Sequence, residues 1–219
     1  MGTMASSTHQ FEVLDLIRAG LQDLDTARTL LDELRADGID DDRLCLLMKT
    51  LEQTCEPDIA LRNLVDIIKA LQSQGRDFHQ VITDDAGLVR LVTVLGVSDG
   101  MGKLMRFRPE LVMAAASDSC ESHLYNHAQR RAHVLEAVGA DPADNRMPKA
   151  TKPLAEAATA LRQTYRKQLA AIMAQDATAD DPIEIQPRIS QELSDLADAA
   201  LEGALAIARN EVDGSEHVR

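Results

Sequence analysis

The segment Ser190–Arg209, SQELSDLADAALEGALAIAR, decides the fold class because its apolar residues recur every three or four positions. That spacing places them on one face of an α-helix. The face is rich in alanine, which allows neighbouring helix backbones to approach closely. The stripe consists of Leu193, Leu196, Ala197, Ala200, Leu201, Ala204, Leu205 and Ala208. We expect it to form the core of a helix bundle, or alternatively to pack on a domain outside this chain.

The same periodicity continues outward from this segment and extends back to Phe11. Glycines end and prolines or aspartates begin the predicted helices, as expected from helix capping. The predicted starts and stops are Gly20, Gly38, Asp40–Asp42, Pro57, Gly75, Asp84, a joint at Gly96, and Pro109. Longer helices are predicted from Ser117 or Ser119 to about Val138, from 154 to 174 and from 186 to 209. No pair of strands is evident, so we predict an all-α fold of helical hairpins or a bundle, without a sheet.

The pattern also predicts how the chain is divided. The prolines and mixed charges of 139–153 interrupt the helical period and indicate an ordered or semi-ordered linker. The predicted segments are 1–10, disordered or tag-like; 11–83, helical hairpins; 84–138, a helical subdomain; 139–153, the linker; and 154–212, two long helices.

Composition restricts the class of protein. Hydrophobic residues make up 45% of the 219 residues but aromatic residues only 2%, which favours a core of aliphatic helices over a sheet. The net charge of −13 opposes binding to nucleic acid or to anionic lipid. No apolar run is long enough to span a membrane, and Cys45, Cys55 and Cys120 form no CxxC pair. We therefore expect a soluble cytoplasmic protein that binds neither nucleic acid nor membranes.

The stretch Leu95–Arg106, LGVSDGMGKLMR, resembles a phosphate-binding loop at first sight. Such a loop requires G-x-x-x-x-G-K-[ST] after a strand. Here Gly96 lies one position too far from Gly102, and Leu104 follows Lys103 in place of Ser or Thr. We interpret the stretch as a glycine-containing joint between two helices.

Two other groups of side chains contain residue types that bind metal ions. Cys120, His123 and His127 lie at helical spacing, with His133 further along, but one helix rarely supplies a tetrahedral zinc site. Packed or solvent-facing histidines are the favoured interpretation. The aspartate clusters 40–42, 84–85 and 180–181 lie where a helix begins or a turn is expected, which favours N-capping over magnesium binding. No nucleophile motif is present, so the residues alone predict no catalytic, cofactor or metal site.

Three segments in order are similar to elements of one enzyme family. They are VTVLGVSDGMGKLMRFRPELV (92–112), ALRQTYRKQLAAIMAQDAT (160–178) and ISQELSDLADAALEGALAIAR (189–209). Together they resemble the bifunctional glutamine synthetase adenylyltransferase/adenylyl-removing enzyme, of the actinobacterial type. The resemblance covers about Asp84 to Arg209; residues 1–80 add only a compatible helical character.

The resemblance implies that this chain is the helical N-terminal region of a longer enzyme of nitrogen metabolism. In the family, a nucleotidyltransferase domain follows the last helix and uses an S-D-x-D motif to hold magnesium, with ATP or ADP as nucleotide. That motif is absent here, so the resemblance implies that the chain alone is inactive and binds no cofactor. The implied partners are the downstream domain, glutamine synthetase, whose tyrosine is adenylylated and de-adenylylated, and a nitrogen-signalling regulatory protein.

Arginine side chains are the candidates for contact with the missing domain. Arg162 and Arg166 share one helical face, with Tyr165 beside them, and could bind a carboxylate or a nucleotide phosphate. Arg106 and Arg108 are further candidates. The alternative for the arginines is salt bridging within an acidic chain. Two other functions remain open, a stand-alone helical adaptor without catalysis and a small helical metalloprotein around Cys120 and His123.

Overall fold

The computed structural model describes residues 11–117 and 126–212, and only the backbone of Gln80. Across these ranges the chain is helical and contains no strand, which confirms the predicted all-α class. The chain divides into two compact units, Met1–Ser117 and Asp118–Arg219. Residues 84–138, predicted as one subdomain, contribute helices to both units. Cys120 and His123, of the considered metal group, lie outside the described residues.

The first unit is a cluster of short helices around two central ones. The helices are α1 (Val13–Arg18), α2 (Leu24–Ala36), α3 (Asp41–Glu52), α4 (Pro57–Ser73), α5 (Phe78–Val81), α6 (Asp85–Val97), α7 (Asp99–Phe107) and α8 (Pro109–Ala116). Helix α4 packs on α2, α6 and α7, while α6 packs on α3, α4 and α8. Both are apolar on several sides because both are surrounded by neighbours. The glycines Gly20, Gly38 and Gly75 adopt positive φ after α1, α2 and α4, as their predicted role as stops requires.

The predicted joint at Gly96 is wrong by two residues. Helix α6 continues through Gly96, and the extended Ser98 caps both α6 and α7. Gly96 is buried, and a Cβ at this position would collide with the Thr54 side chain and come within 3.4 Å of Ala60 Cβ. The glycine therefore permits close helix packing, and the serine makes the joint.

The described part of the second unit, residues 126–212, consists of three helices and one ordered segment. The helices are α9 (His127–Val138), α10 (Leu154–Ala177) and α11 (Pro182–Glu211), and each packs on the other two. A predicted helix running on from Ser117 is wrong, because Ser117 ends α8 and a capping box of Asn126 with Gln129 starts α9. The other proposed start, Ser119, lies outside the described residues.

Hydrogen bonds that involve the backbone of the segment 139–153 hold it against these helices. Ala150 N–H donates to the Ala206 carbonyl at 3.0 Å, and Arg131 donates to the carbonyls of Pro142 and Asp144 at 2.7 Å each. Ala140 and Ala150 are buried in one apolar cluster with α9, α10 and α11. The segment thus belongs to the packed unit. In the described part of the chain, no helix is long and apolar enough to cross a membrane.

Candidate protein-interaction surface

The predicted face of α11 is not the one that packs in the core. The buried residues are Ile189, Glu192, Leu196, Ala199, Gly203, Ala206 and Ile207, so of the predicted stripe only Leu196 is fully buried. Small residues on the buried face explain the choice of face. A Cβ at Gly203 would come within 2.5 Å of Val134 Cγ1 and 3.0 Å of Leu161 Cδ1, so α9 and α10 approach α11 closely here.

The rest of the predicted stripe forms an exposed apolar face on α11. Leu201 is 70% exposed, Leu193 42% and Leu205 41%, while Ala197, Ala204 and Ala208 are exposed between them. Between Ala197 and Ala208 this sector contains only leucine and alanine. We call it the α11 apolar face. Exposed apolar surface of this continuity is typical of a protein contact.

The arginines of α10 border this face. Leu161 lies against Gly203, and Tyr165 and Leu169 pack on the cluster of Ile172, Ile189 and Leu196. Gln168, on the other side of α10, bonds to Arg130 of α9. Helical spacing therefore places Arg162 and Arg166 on the side of α10 that is turned away from α9, beside the α11 apolar face.

Neither of these two guanidinium groups forms an ion pair with the described residues. Arg162 Nη2 lies 3.5 Å from Thr159 Oγ1, a marginal hydrogen bond. The salt bridges considered for this pair from the sequence are thus not formed in the described part of the chain. Arg162 is exposed and Arg166 is half-buried. Both charges remain available at the edge of an apolar surface.

The other predicted arginines lie in the first unit. Arg106 Nη1 donates to Asp66 Oδ2 at 2.7 Å, and Lys103 lies 2.6 Å from Asp99 Oδ2. These pairs lie in a polar cleft between α4 and α7, which is lined by Ile59, Arg62, Asn63, Asp66, Asp99, Lys103 and Arg106. Arg108 is the half-buried residue between α7 and α8.

The charge balance of this cleft does not favour phosphate binding. Hydrogen bonds from Lys103 and Asn63 lower the pKa of Asp99, which stays ionised beside the cations. Two of the three cations are thus paired with carboxylates. The GMGK residues lie inside α7, and Ser98 is the joint between α6 and α7, so the stretch joins two helices and does not follow a strand.

A buried polar network supports the helices that carry the surface. Arg130 is 1% exposed and donates to Gln168 Oε1 at 3.0 Å and to Glu192 Oε2 at 2.9 Å, which joins all three helices. Arg131 forms a two-bond pair with Glu202 at 2.7 and 2.8 Å. Sequence reasoning missed both pairs. The sequence did contain a signal for these pairs, namely two adjacent arginines on α9 and acidic residues on the inner side of α11.

The aspartate clusters act as helix caps, as the sequence indicated. Asp40 accepts from Arg43 N–H at 2.8 Å, and Asp84 accepts from Gly87 N–H at 2.6 Å. Asp181 accepts from the backbone of both Ile183 and Glu184. Among the described residues, no group of three histidine, cysteine, aspartate or glutamate side chains could hold a metal ion.

Comparison with known proteins finds close relatives of one kind. The chain is 66% identical, over 216 residues, to the bifunctional glutamine synthetase adenylyltransferase/adenylyl-removing enzyme of Bifidobacterium longum strain DJO10A. That alignment covers 99% of the chain and 20% of the relative. The enzyme of the same description from Cutibacterium acnes is 32% identical over 197 residues, 90% of the chain and 19% of that protein.

More distant relatives carry the same description. The protein of Corynebacterium glutamicum is 30% identical over 193 residues, which cover 74% of the chain and 18% of the relative. No protein-family model and no solved structure matches the chain. The chain therefore spans about a fifth of the length of the curated relatives that it matches.

Proposed function

We propose, on the premise that the chain belongs to the family of bifunctional glutamine synthetase adenylyltransferase/adenylyl-removing enzymes, that it is a non-catalytic helical part of such an enzyme. Its proposed role is to brace the adenylyl-removing half and to shape the approach of that half to glutamine synthetase. The observation that carries this role is the α11 apolar face, an exposed surface beside two arginines that form no ion pair with the described residues, in a chain that spans about a fifth of the length of its relatives.

The chemistry of the described residues supports a non-catalytic role. The aspartates that could have bound magnesium bond to backbone N–H groups at helix starts, and the cations of the α4–α7 cleft are largely paired with carboxylates. Arg130 and Arg131 hold helices together through Gln168, Glu192 and Glu202. Phosphoryl and adenylyl transfer need carboxylates that converge on a metal ion, and we place those carboxylates in another part of the parent enzyme.

The activity itself belongs to the proposed parent enzyme. That enzyme would transfer AMP from ATP to a tyrosine of the synthetase and would remove it by phosphorolysis, with magnesium as the metal ion. Glutamine synthetase and the nucleotidyltransferase domain in the same chain are the partners we propose, together with a nitrogen-signalling regulatory protein. The cytoplasm is the compartment in which these partners would meet.

The test compares this chain with the product of the full reading frame from the same source. Both are incubated with purified glutamine synthetase, ATP and magnesium, and AMP on the synthetase is followed by mass spectrometry. Removal of AMP is measured with adenylylated synthetase and inorganic phosphate. We expect turnover in both directions by the full product and none above background by the 219 residues.

Two results would overturn the proposal. AMP transfer or release by the isolated chain would show that it is catalytic. A reading frame that ends at Arg219, or a full product without activity on the synthetase, would favour the stand-alone adaptor instead.

A further inference from the structure

We infer that the α11 apolar face, with Arg162 and Arg166 on its edge, is the binding site of an amphipathic helix from the remainder of the parent enzyme. The inference rests on the proposed function in that it requires a longer chain. It adds the surface used, the kind of element bound and the charge that this element carries.

The arrangement of side chains on the face is suited to packing against another helix. Leu193, Ala197, Leu201 and Leu205 follow one another at intervals of four and form a raised row. Ala200, Ala204 and Ala208 form a parallel row of small side chains beside it. Rows at this interval are the ridges and grooves through which α-helices pack on each other. A helix that places its own ridge over the alanine row would bury the leucines on one side and contact α10 on the other.

The α10 border of the face determines the charge of the edge of the occupant that meets it. Arg162 and Arg166 lie on the α10 side and have no ion-pair partner among the described residues. A helix seated on the face would bring one of its edges against these guanidinium groups. Carboxylates along that edge would be favoured, because arginine forms its strongest contacts with carboxylates and because like charges across an interface are unfavourable.

The source of the helix follows from charge and from length. Two copies of a chain with net charge −13 repel each other, which disfavours a homodimer through this face. The relatives match the chain over 99% of its length, yet the match covers only 20% of theirs. On the proposed function, the rest of the parent enzyme belongs to the same polypeptide, and a helix linked to the face in this way has a high effective concentration.

The first experiment is hydroxyl-radical footprinting of the isolated chain and of the full reading-frame product. We expect oxidation of Leu201 and Leu205 to fall about fivefold or more in the full product, because water is excluded from the core of an interface. Ile183 provides the internal control, since it is 86% exposed on the same helix but lies outside the α11 apolar face. Its oxidation should stay within about twofold between the two proteins.

The second experiment changes the face without changing the fold. Leu201→Glu with Ala204→Glu should leave the thermal midpoint of the isolated chain unchanged within about 2 °C, because both side chains are exposed. In the full product the same pair should restore the oxidation of Leu205. Ile183→Glu, a matched exchange of an exposed apolar residue on α11, should leave Leu205 protected from oxidation.

Three outcomes would overturn the inference. Equal oxidation of Leu201 in both proteins would mean that the parent leaves the face uncovered. Protection that persists in the double variant would mean that another surface is responsible. A concentration-dependent dimer of the isolated chain that dissociates on Leu201→Glu, measured by sedimentation, would assign the face to a second copy.

These results are separable from the test of function. A full product that turns over AMP but leaves Leu201 exposed would remove this inference and keep the proposed function. A full product that protects Leu201 but has no activity on the synthetase would do the reverse.

Discussion

Gly203 is a residue at which the helices of the second unit approach one another closely. Alanine is normally favoured over glycine inside a helix by about 1 kcal/mol. Here, however, the new Cβ would lie 2.5 Å from Val134 Cγ1, and overpacking a close-packed site costs about 1–3 kcal/mol. We expect Gly203→Ala to lower the free energy of unfolding by roughly 1 kcal/mol in urea titrations.

Gly100 provides the matched control for this substitution. It is an exposed helical glycine of α7 whose nearest contact to an added Cβ is Ser98 Oγ at 3.9 Å. Gly100→Ala should raise the free energy of unfolding by up to about 1 kcal/mol. Equal stabilisation by both changes would contradict the close contact of α11 with α9.

Glu192 tests the buried network that joins the three helices. Its loss would leave the Arg130 guanidinium buried with Gln168 but without the Glu192 carboxylate, and breaking a buried pair from one side costs about 3–5 kcal/mol. Glu192→Ala should therefore destabilise the chain by about 3 kcal/mol in the same titrations. The double change Arg130→Met with Glu192→Leu should cost much less, because no charge is left buried.

The exposed pair Lys69–Glu33 shows what an ordinary surface ion pair contributes. Its side chains are 2.8 Å apart but 52% and 37% exposed. Glu33→Ala should cost less than about 1 kcal/mol. A loss at Glu192 no larger than this would mean that Arg130 is solvated.

At the scale of single helices, the N-cap of α2 gives a test by pH. The side chain and backbone N–H of Thr26 bond to the Asp23 carboxylate and lower its pKa from the usual value of 3.8. Because the folded pKa is the lower one, the contribution to stability is complete above about pH 4 and is lost as the pH falls through the folded pKa. Between pH 5 and pH 2, roughly, the thermal midpoint of the native chain should fall relative to that of Asp23→Asn.

The asparagine variant keeps a good cap but does not titrate. Asp25→Asn is the control, since Asp25 lies in the first turn of the same helix without capping it. The two carboxyl pKa values can be measured directly by NMR titration. A folded pKa of Asp23 at or above its usual value would refute the assigned cap.

The helices also show how far the sequence could be interpreted. Helix starts followed from local chemistry: Asp40, Pro57 and Pro109 stand where α3, α4 and α8 begin, because a cap or a fixed φ depends on a few neighbouring residues. The start of α11 at Pro182 is four residues before the predicted one at 186. The buried face of α11 did not follow. The apolar residues of α11 extend well beyond one face. Judged by side-chain hydrophobicity alone, Leu201 is a better candidate for burial than Gly203.

The choice between the two faces of α11 depends on partners distant in sequence. Val134 and Leu161 require a small residue opposite them, and Arg130 makes a buried Glu192 favourable. An apolar sector wider than one helix face was a sign that two different surfaces were present. The predicted Arg162, Tyr165 and Arg166 remain predictions as contact residues.

At the scale of the whole molecule, the charge of the arginine edge can be tested in the full reading-frame product. Arg162→Glu with Arg166→Glu would replace two positive charges by two negative ones opposite the carboxylates proposed on the seated helix, a change of four units from the net charge of −13. Charges at an interface rim act mainly on specificity and are weakened by salt. We expect the turnover of AMP on glutamine synthetase to fall roughly tenfold at low ionic strength, and the deficit to shrink as salt is added.

The matched control is Arg146→Glu with Lys149→Glu, which changes the charge equally at exposed positions of the segment between α9 and α10. It should leave turnover within about twofold of the unsubstituted enzyme. Thermal midpoints of the isolated chains should agree for both double variants, because none of the four side chains is an ion-pair partner of a described residue. Equal turnover by the two double variants, at every salt concentration, would mean that Arg162 and Arg166 face solvent and contact no other part of the enzyme. A deficit at Arg162 and Arg166 that salt does not reduce would point to contacts other than charge.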